Sequence, residues 1–103
     1  MPDPIVISPQ GDIDVATVPS FREALAEAAS GGHVRLVVDL SEVAFIDSTG
    51  LGAILEVNEQ LRRERRRLAV VAPRGTAAAV LLTLAGLRQT LAVFDSRRAA
   101  LHS

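Results

Sequence analysis

One stretch limits the fold more than any other: HVRLVVDL, residues 33–40. It is short, β-branched and almost uninterrupted in apolar residues. A strand with one wet face alternates apolar and polar residues, so the adjacent Val37 and Val38 ask for burial on both sides of a sheet. RLAVVA, residues 67–72, is a further strand, closed by Pro73. Shorter extended runs are PIVIS (4–8), LAVF (91–94) and VAF (43–45), the last leading towards Asp47. Between them lie helical patterns. In TVPSFREALAEAASGG (17–32), Val18, Phe21, Leu25 and Ala28 recur at three- and four-residue spacing. Thr17 can cap that helix, Pro19 suits its first turn, and Gly31-Gly32 stop it. From Gly50 to about Arg67 the pattern is again helical, with Leu51, Ile54, Leu55 and Leu61 facing inwards. TAAAVLLTLAG (76–86) has Thr76 as cap and Gly86 as stop, and SRRAALHS (96–103) forms a terminal turn or two. Strands alternating with helices give an α/β fold, a mixed, mostly parallel sheet of about four strands covered by helices, in one domain spanning 1–103.

Composition narrows the function. The 103 residues are 49% hydrophobic but 3% aromatic, so the core is aliphatic. A net charge of −1 offers no general attraction to nucleic acid or an anionic membrane. The chain contains no cysteine, which removes disulfides, thiol nucleophiles and thiolate-ligated zinc. His33 and His102 are far apart, so no metal site is expected, and no cofactor. The opening MPDPIVISPQ lacks the basic head and long apolar segment of a signal peptide, and no run approaches the roughly 18 apolar residues of a membrane span. A cytoplasmic location is expected.

The segment AFIDSTGLGAIL, residues 44–55, carries the chemistry. Ser48 beside Asp47, where a strand hands over to a helix, is open to four readings: nucleophile, part of a nucleotide loop, modification site or helix cap. A serine hydrolase elbow needs G-x-S-x-G, and Ile46 stands where the first glycine belongs. A Walker loop needs a lysine, and every basic side chain here is arginine. Gly50-Leu51-Gly52 opens like a dinucleotide fingerprint, but Leu55 takes the place of its third glycine. Asp12 and Asp14 resemble the start of an aspartate-nucleophile phosphatase, yet a turn in which one aspartate bonds local backbone is simpler. As a cap, Ser48 would accept a backbone N–H and contribute about 0.5–2 kcal/mol. Capping leaves two first-turn glycines unexplained, each costing about 0.5–1 kcal/mol relative to alanine. Small residues there permit close approach of another surface, and a helix N-terminus tolerates added phosphate.

GDIDVATVP, VVDLSEVAFIDSTGLGAIL and LAVVAPRGTAAAVLLTLAGL together resemble, in order and spacing, the anti-sigma factor antagonists of the STAS family. The middle segment is the specific one. The resemblance implies partner switching. Ser48 would be phosphorylated by an anti-sigma factor with serine kinase activity, the unphosphorylated form would bind that factor and free the sigma factor, and a serine phosphatase would reset the cycle. It also implies that Asp14, Asp47, Thr49, Gly50 and Leu51 join Ser48 in the contact surface, and that the protein is not an enzyme. Two departures stand out. The family has two strands before its G-D corner, whereas ten residues precede Gly11, so the first edge strand is expected to be missing; and the chain after Asp95 is short. A monomer or weak dimer is expected. An alternative within the fold is a subunit bracing a lipid-transport ATPase. RRERRR, residues 62–67, raises nucleic-acid binding, but such a run is commonly a solvated helix end.

Overall fold

The computed structural model describes residues 4–103. In chain order the elements are β1 (Ile5–Ile7), β2 (Gly11–Ile13), α1 (Val18–Ser30), β3 (Arg35–Asp39), β4 (Val43–Ile46), α2 (Ser48–Arg63), β5 (Arg67–Val71), α3 (Ala77–Leu84), β6 (Ala92–Phe94) and α4 (Arg97–Leu101). Four strands form a sheet in the order β1-β3-β5-β6, and β2 and β4 form a separate pair. Each of these pairings is parallel, so the α/β architecture and four-stranded main sheet expected from the sequence are present.

Side chains of a strand alternate between faces, and the two cores follow that period. Leu36 and Val38 of β3, with Leu68 and Val70 of β5, join Phe21, Leu25, Ile54, Leu61 and Leu82 in the larger core beneath α1, α2 and α3. Val37, Ala69 and Val71 point the other way and meet Ala100 and Leu101 of α4. Val37 and Val38 are both 0% exposed, which is the two-sided burial their adjacency requires.

Four local expectations are corrected. Gly11–Ile13, read as part of a turn, is a short strand; glycine and aspartate are poor strand formers, and pairing with β4 overrides them. Gly11 has φ +77°, a conformation that lets the chain leave β1 and enter the second sheet. Thr17 occupies the N-cap position of α1 but makes no side-chain cap, because its hydroxyl turns back to the Asp12 carbonyl at 2.8 Å. The second helix begins at Ser48 and not Gly50. It ends at Arg63 and not Arg67, and Arg65 then adopts φ +59° to reverse the chain into β5. Arginine is a good helix former, so the sequence hides this turn. RRERRR is therefore divided among a helix end, a turn and a strand. Arg62 and Arg63 lie near Glu59, whereas Arg66 contacts Glu64 and the His33 carbonyl. The strand expected to be missing ahead of β1 falls outside the described residues; β1 is an outer strand of the main sheet. Among the described residues no helix is long and apolar enough to cross a membrane.

Candidate functional site

The β2–β4 pair builds the site. Ile13 lies opposite Ile46, and the next residue on each strand is an aspartate, so Asp14 and Asp47 leave the same end of the pair. The Asp47 N–H donates to the Ile13 carbonyl at 3.1 Å, tying the two turns together.

Asp47 is extended, with φ −108° and ψ −174°, and it caps α2. Its Oδ1 accepts from the Thr49 N–H at 2.9 Å, the Gly50 N–H at 3.3 Å and the Thr49 hydroxyl at 2.5 Å. These are the donors an N-cap side chain reaches at the second and third helical residues. The Thr49 hydroxyl is the main cause holding the Asp47 carboxyl below the usual carboxylate range; burial opposes it, and the Gly50 and Thr49 N–H groups reinforce it. Capping by Ser48 is thus overturned. Ser48 is the first residue of the helix, exposed, and its hydroxyl has no hydrogen-bond partner among the described residues.

The neighbouring positions divide by burial. Thr49 is half-buried with its hydroxyl committed to Asp47. Gly50 and Leu51 are buried, so they shape the turn from beneath and present little to a partner. The surface that Gly50 admits belongs to the protein's own strands: an added Cβ would lie 2.8 Å from Ile13 Cγ2 and 2.8 Å from Ile46 Cγ1. Gly52 differs, since a Cβ there would meet nothing within 4 Å.

Asp14 organises its own turn. Its Oδ1 accepts from the Ala16 N–H at 2.9 Å and the Thr17 N–H at 3.1 Å, and its own N–H donates to Thr17 Oγ1 at 2.9 Å. This is the local aspartate turn that the sequence allowed. Asp14 and Asp47 thus leave the same end of the strand pair, each with its Oδ1 committed to local backbone N–H groups. Among the described residues no group of three or more histidine, aspartate or glutamate side chains is placed to hold a metal ion.

A family model described as the STAS domain matches residues 1–100. The chain belongs to the STAS domain family. The anti-sigma-F factor antagonist RsfB of Mycobacterium tuberculosis is 33% identical over 96 residues, covering 93% of this chain and 77% of that protein. An anti-sigma-B factor antagonist of Listeria monocytogenes is 38% identical over 66 residues, 64% of this chain and 58% of that protein. The crystal structure of an anti-sigma factor antagonist from Mycobacterium paratuberculosis superposes with a TM-score of 0.86 at 33% identity, covering 94% of this chain and 81% of the other.

In this STAS domain two exposed apolar side chains on the β2–β4 pair and the turn after it escaped the sequence reading. Val15, 73% exposed, follows Asp14, and Phe45, 49% exposed, precedes Ile46 on β4. Val15 carried a signal: a β-branched residue inside a polar corner has no reason to be there for the turn itself. Phe45 carried none, because only the tertiary packing leaves it uncovered.

Proposed function

We propose that this chain is an anti-sigma factor antagonist, a cytoplasmic binding protein and not an enzyme, switched by phosphorylation of Ser48. Unphosphorylated, it binds an anti-sigma factor that is also a serine kinase and so releases the sigma factor. Phosphorylated, it lets go, and a serine phosphatase restores it. The observation that carries this reading is the division of roles at the start of α2: Asp47 does the capping, which leaves the exposed Ser48 hydroxyl without a structural duty. Thr49, the other hydroxyl of the turn, is committed to Asp47, which favours Ser48 as the acceptor.

A phosphate adds about −1.5 to −2 charge and three acceptor oxygens. At the N-terminus of a 16-residue helix that charge is tolerated by the fold. It changes what a partner meets: a dianion flanked by the Asp14 and Asp47 carboxylates. A tenfold loss of affinity takes only about 1.4 kcal/mol. The contact surface comprises Asp14, Asp47, Ser48 and Thr49, with Val15 and Phe45 as apolar additions and Gly50 and Leu51 supporting it from below.

The test is incubation with the cognate anti-sigma kinase and ATP, followed by mass-spectrometric mapping. Ser48→Ala should retain binding and take up no phosphate. Ser48→Asp should stay folded yet bind at least tenfold more weakly. Phosphate found on Thr49, or wild-type binding by Ser48→Asp, overturns the switch.

A further inference from the structure

The far end of α2 holds a second feature that the switch does not use. Asn58 and Arg62 stand about 15 Å and 21 Å along the helix axis from Ser48, at 1.5 Å per residue. There a cavity of about 320 Å³ opens between α2 and the first residues of β5 and β6. Arg62, Arg66 and Arg67 line it together with Asn58, and Leu68 and Phe94 supply apolar wall. No aspartate or glutamate lines it.

Asn58 is 8% exposed, its carboxamide has no hydrogen-bond partner among the described residues, and it opens to solvent through the cavity. Two further details show unmet polar demand at this cavity. Arg66 is anchored through Nε to the His33 carbonyl at 2.7 Å and through Nη1 to Glu64 at 2.7 Å, yet its Nη2 is buried with no acceptor. Buried donors are rarely left unpaired in a native structure. Finally, Arg35 and Arg67 are direct partners in the register of β3 and β5. Like charges placed opposite each other destabilise a sheet. Arg35 is turned to the carbonyls of Ala100, Leu101 and Ser103, and Arg67 forms no ion pair with a described residue.

We infer that this cavity binds a small organic oxyanion, its phosphomonoester or carboxylate head held by Arg62, Arg67 and the Asn58 amide, and its compact apolar body against Phe94. Guanidinium groups match both head groups through paired, charge-assisted hydrogen bonds. The volume is at the lower end of small-molecule sites, which limits the ligand to a compact one.

Amide NMR titration of the full chain tests this, with phenyl phosphate, phenylacetate and inorganic phosphate as separate probes. One of the two organic anions should give saturable one-to-one shifts centred on Asn58, Thr90 and Ala92, and the tighter of them identifies the head group. Inorganic phosphate should bind at least tenfold more weakly, because it cannot use the apolar wall. Arg67→Ala, at an exposed position with no ion pair to lose, should weaken binding about tenfold, and Asn58→Asp should abolish it. Ser48→Ala should leave it unchanged, which separates this site from the switch. If Asn58→Asp does not fold, Arg62→Ala takes its place with the same expected tenfold loss. Non-saturating shifts spread over all exposed arginines overturn the proposal. So does equal binding of inorganic phosphate, or wild-type affinity in the Arg67 and Asn58 variants.

Discussion

The two glycines of the first turns of α2 should respond oppositely to alanine. At Gly50 an added Cβ would sit 2.8 Å from atoms of two different side chains, Ile13 and Ile46, both buried and both on paired strands. Neither contact can be relieved without shifting the helix or the strand pair, and overpacking of that kind costs about 1–3 kcal/mol. Removing a helical glycine returns only about 0.8–1.0 kcal/mol. The expected net effect of Gly50→Ala is a loss of up to about 2 kcal/mol. At Gly52 the same methyl meets nothing within 4 Å, so only the propensity gain remains. Gly52→Ala should therefore stabilise by about 0.5–1 kcal/mol. Urea titrations with linear extrapolation measure both, and each kcal/mol should appear as a melting shift of about 4–8 °C in a domain this size. Because the propensity gain is common to both, the two variants should be separated by about 1–3 kcal/mol, with Gly50→Ala the less stable. Equal stabilities, or Gly50→Ala more stable than wild type, would refute the claim that Gly50 exists to let α2 close on β2 and β4.

Asp14→Asn keeps an Oδ1 acceptor for the Ala16 and Thr17 N–H groups, so stability should change by about 1 kcal/mol or less while the phosphorylation rate changes; unfolding without a kinetic effect would make Asp14 purely structural. Acid sensitivity follows from Asp47, lowered chiefly by the Thr49 hydroxyl, and from Asp39, where burial pushes upwards but the Ser41 hydroxyl and N–H and Arg97 outweigh it. Both carboxyls are lowered in the folded state, so their contribution is complete above about pH 5 and lost as pH falls through their lowered pKa values. Asp47→Asn should therefore flatten the decline of the urea midpoint in acid, and an unchanged slope would count against it. Sedimentation at micromolar concentration should show a monomer or weak dimer, because the outer strand β1 is only three residues long; a tight dimer would point to pairing through that edge.

Much of this protein was legible from local pattern. The apolar runs of β3 and β5 announced strands, that of β3 buried on both faces, and Thr76 capped α3 through the Ala79 N–H as its position implied. Gly86, with φ +69°, ended the same segment. The D-S-T-G frame located the candidate site itself. Which residue does what within that frame was not legible. Asp47 and Ser48 are both good N-cap types, and sequence alone cannot choose between them. The choice is made by the hydrogen bond from the Asp47 N–H to the Ile13 carbonyl, far earlier in the chain, which holds Asp47 extended and starts the helix one residue later. The same strand pair decides that Gly50 faces inward, and it makes a strand of Gly11–Ile13 against their own preference. Local propensity sets which conformations are cheap; a contact between distant segments selects among those of nearly equal cost, and that contact exists only once the chain has folded.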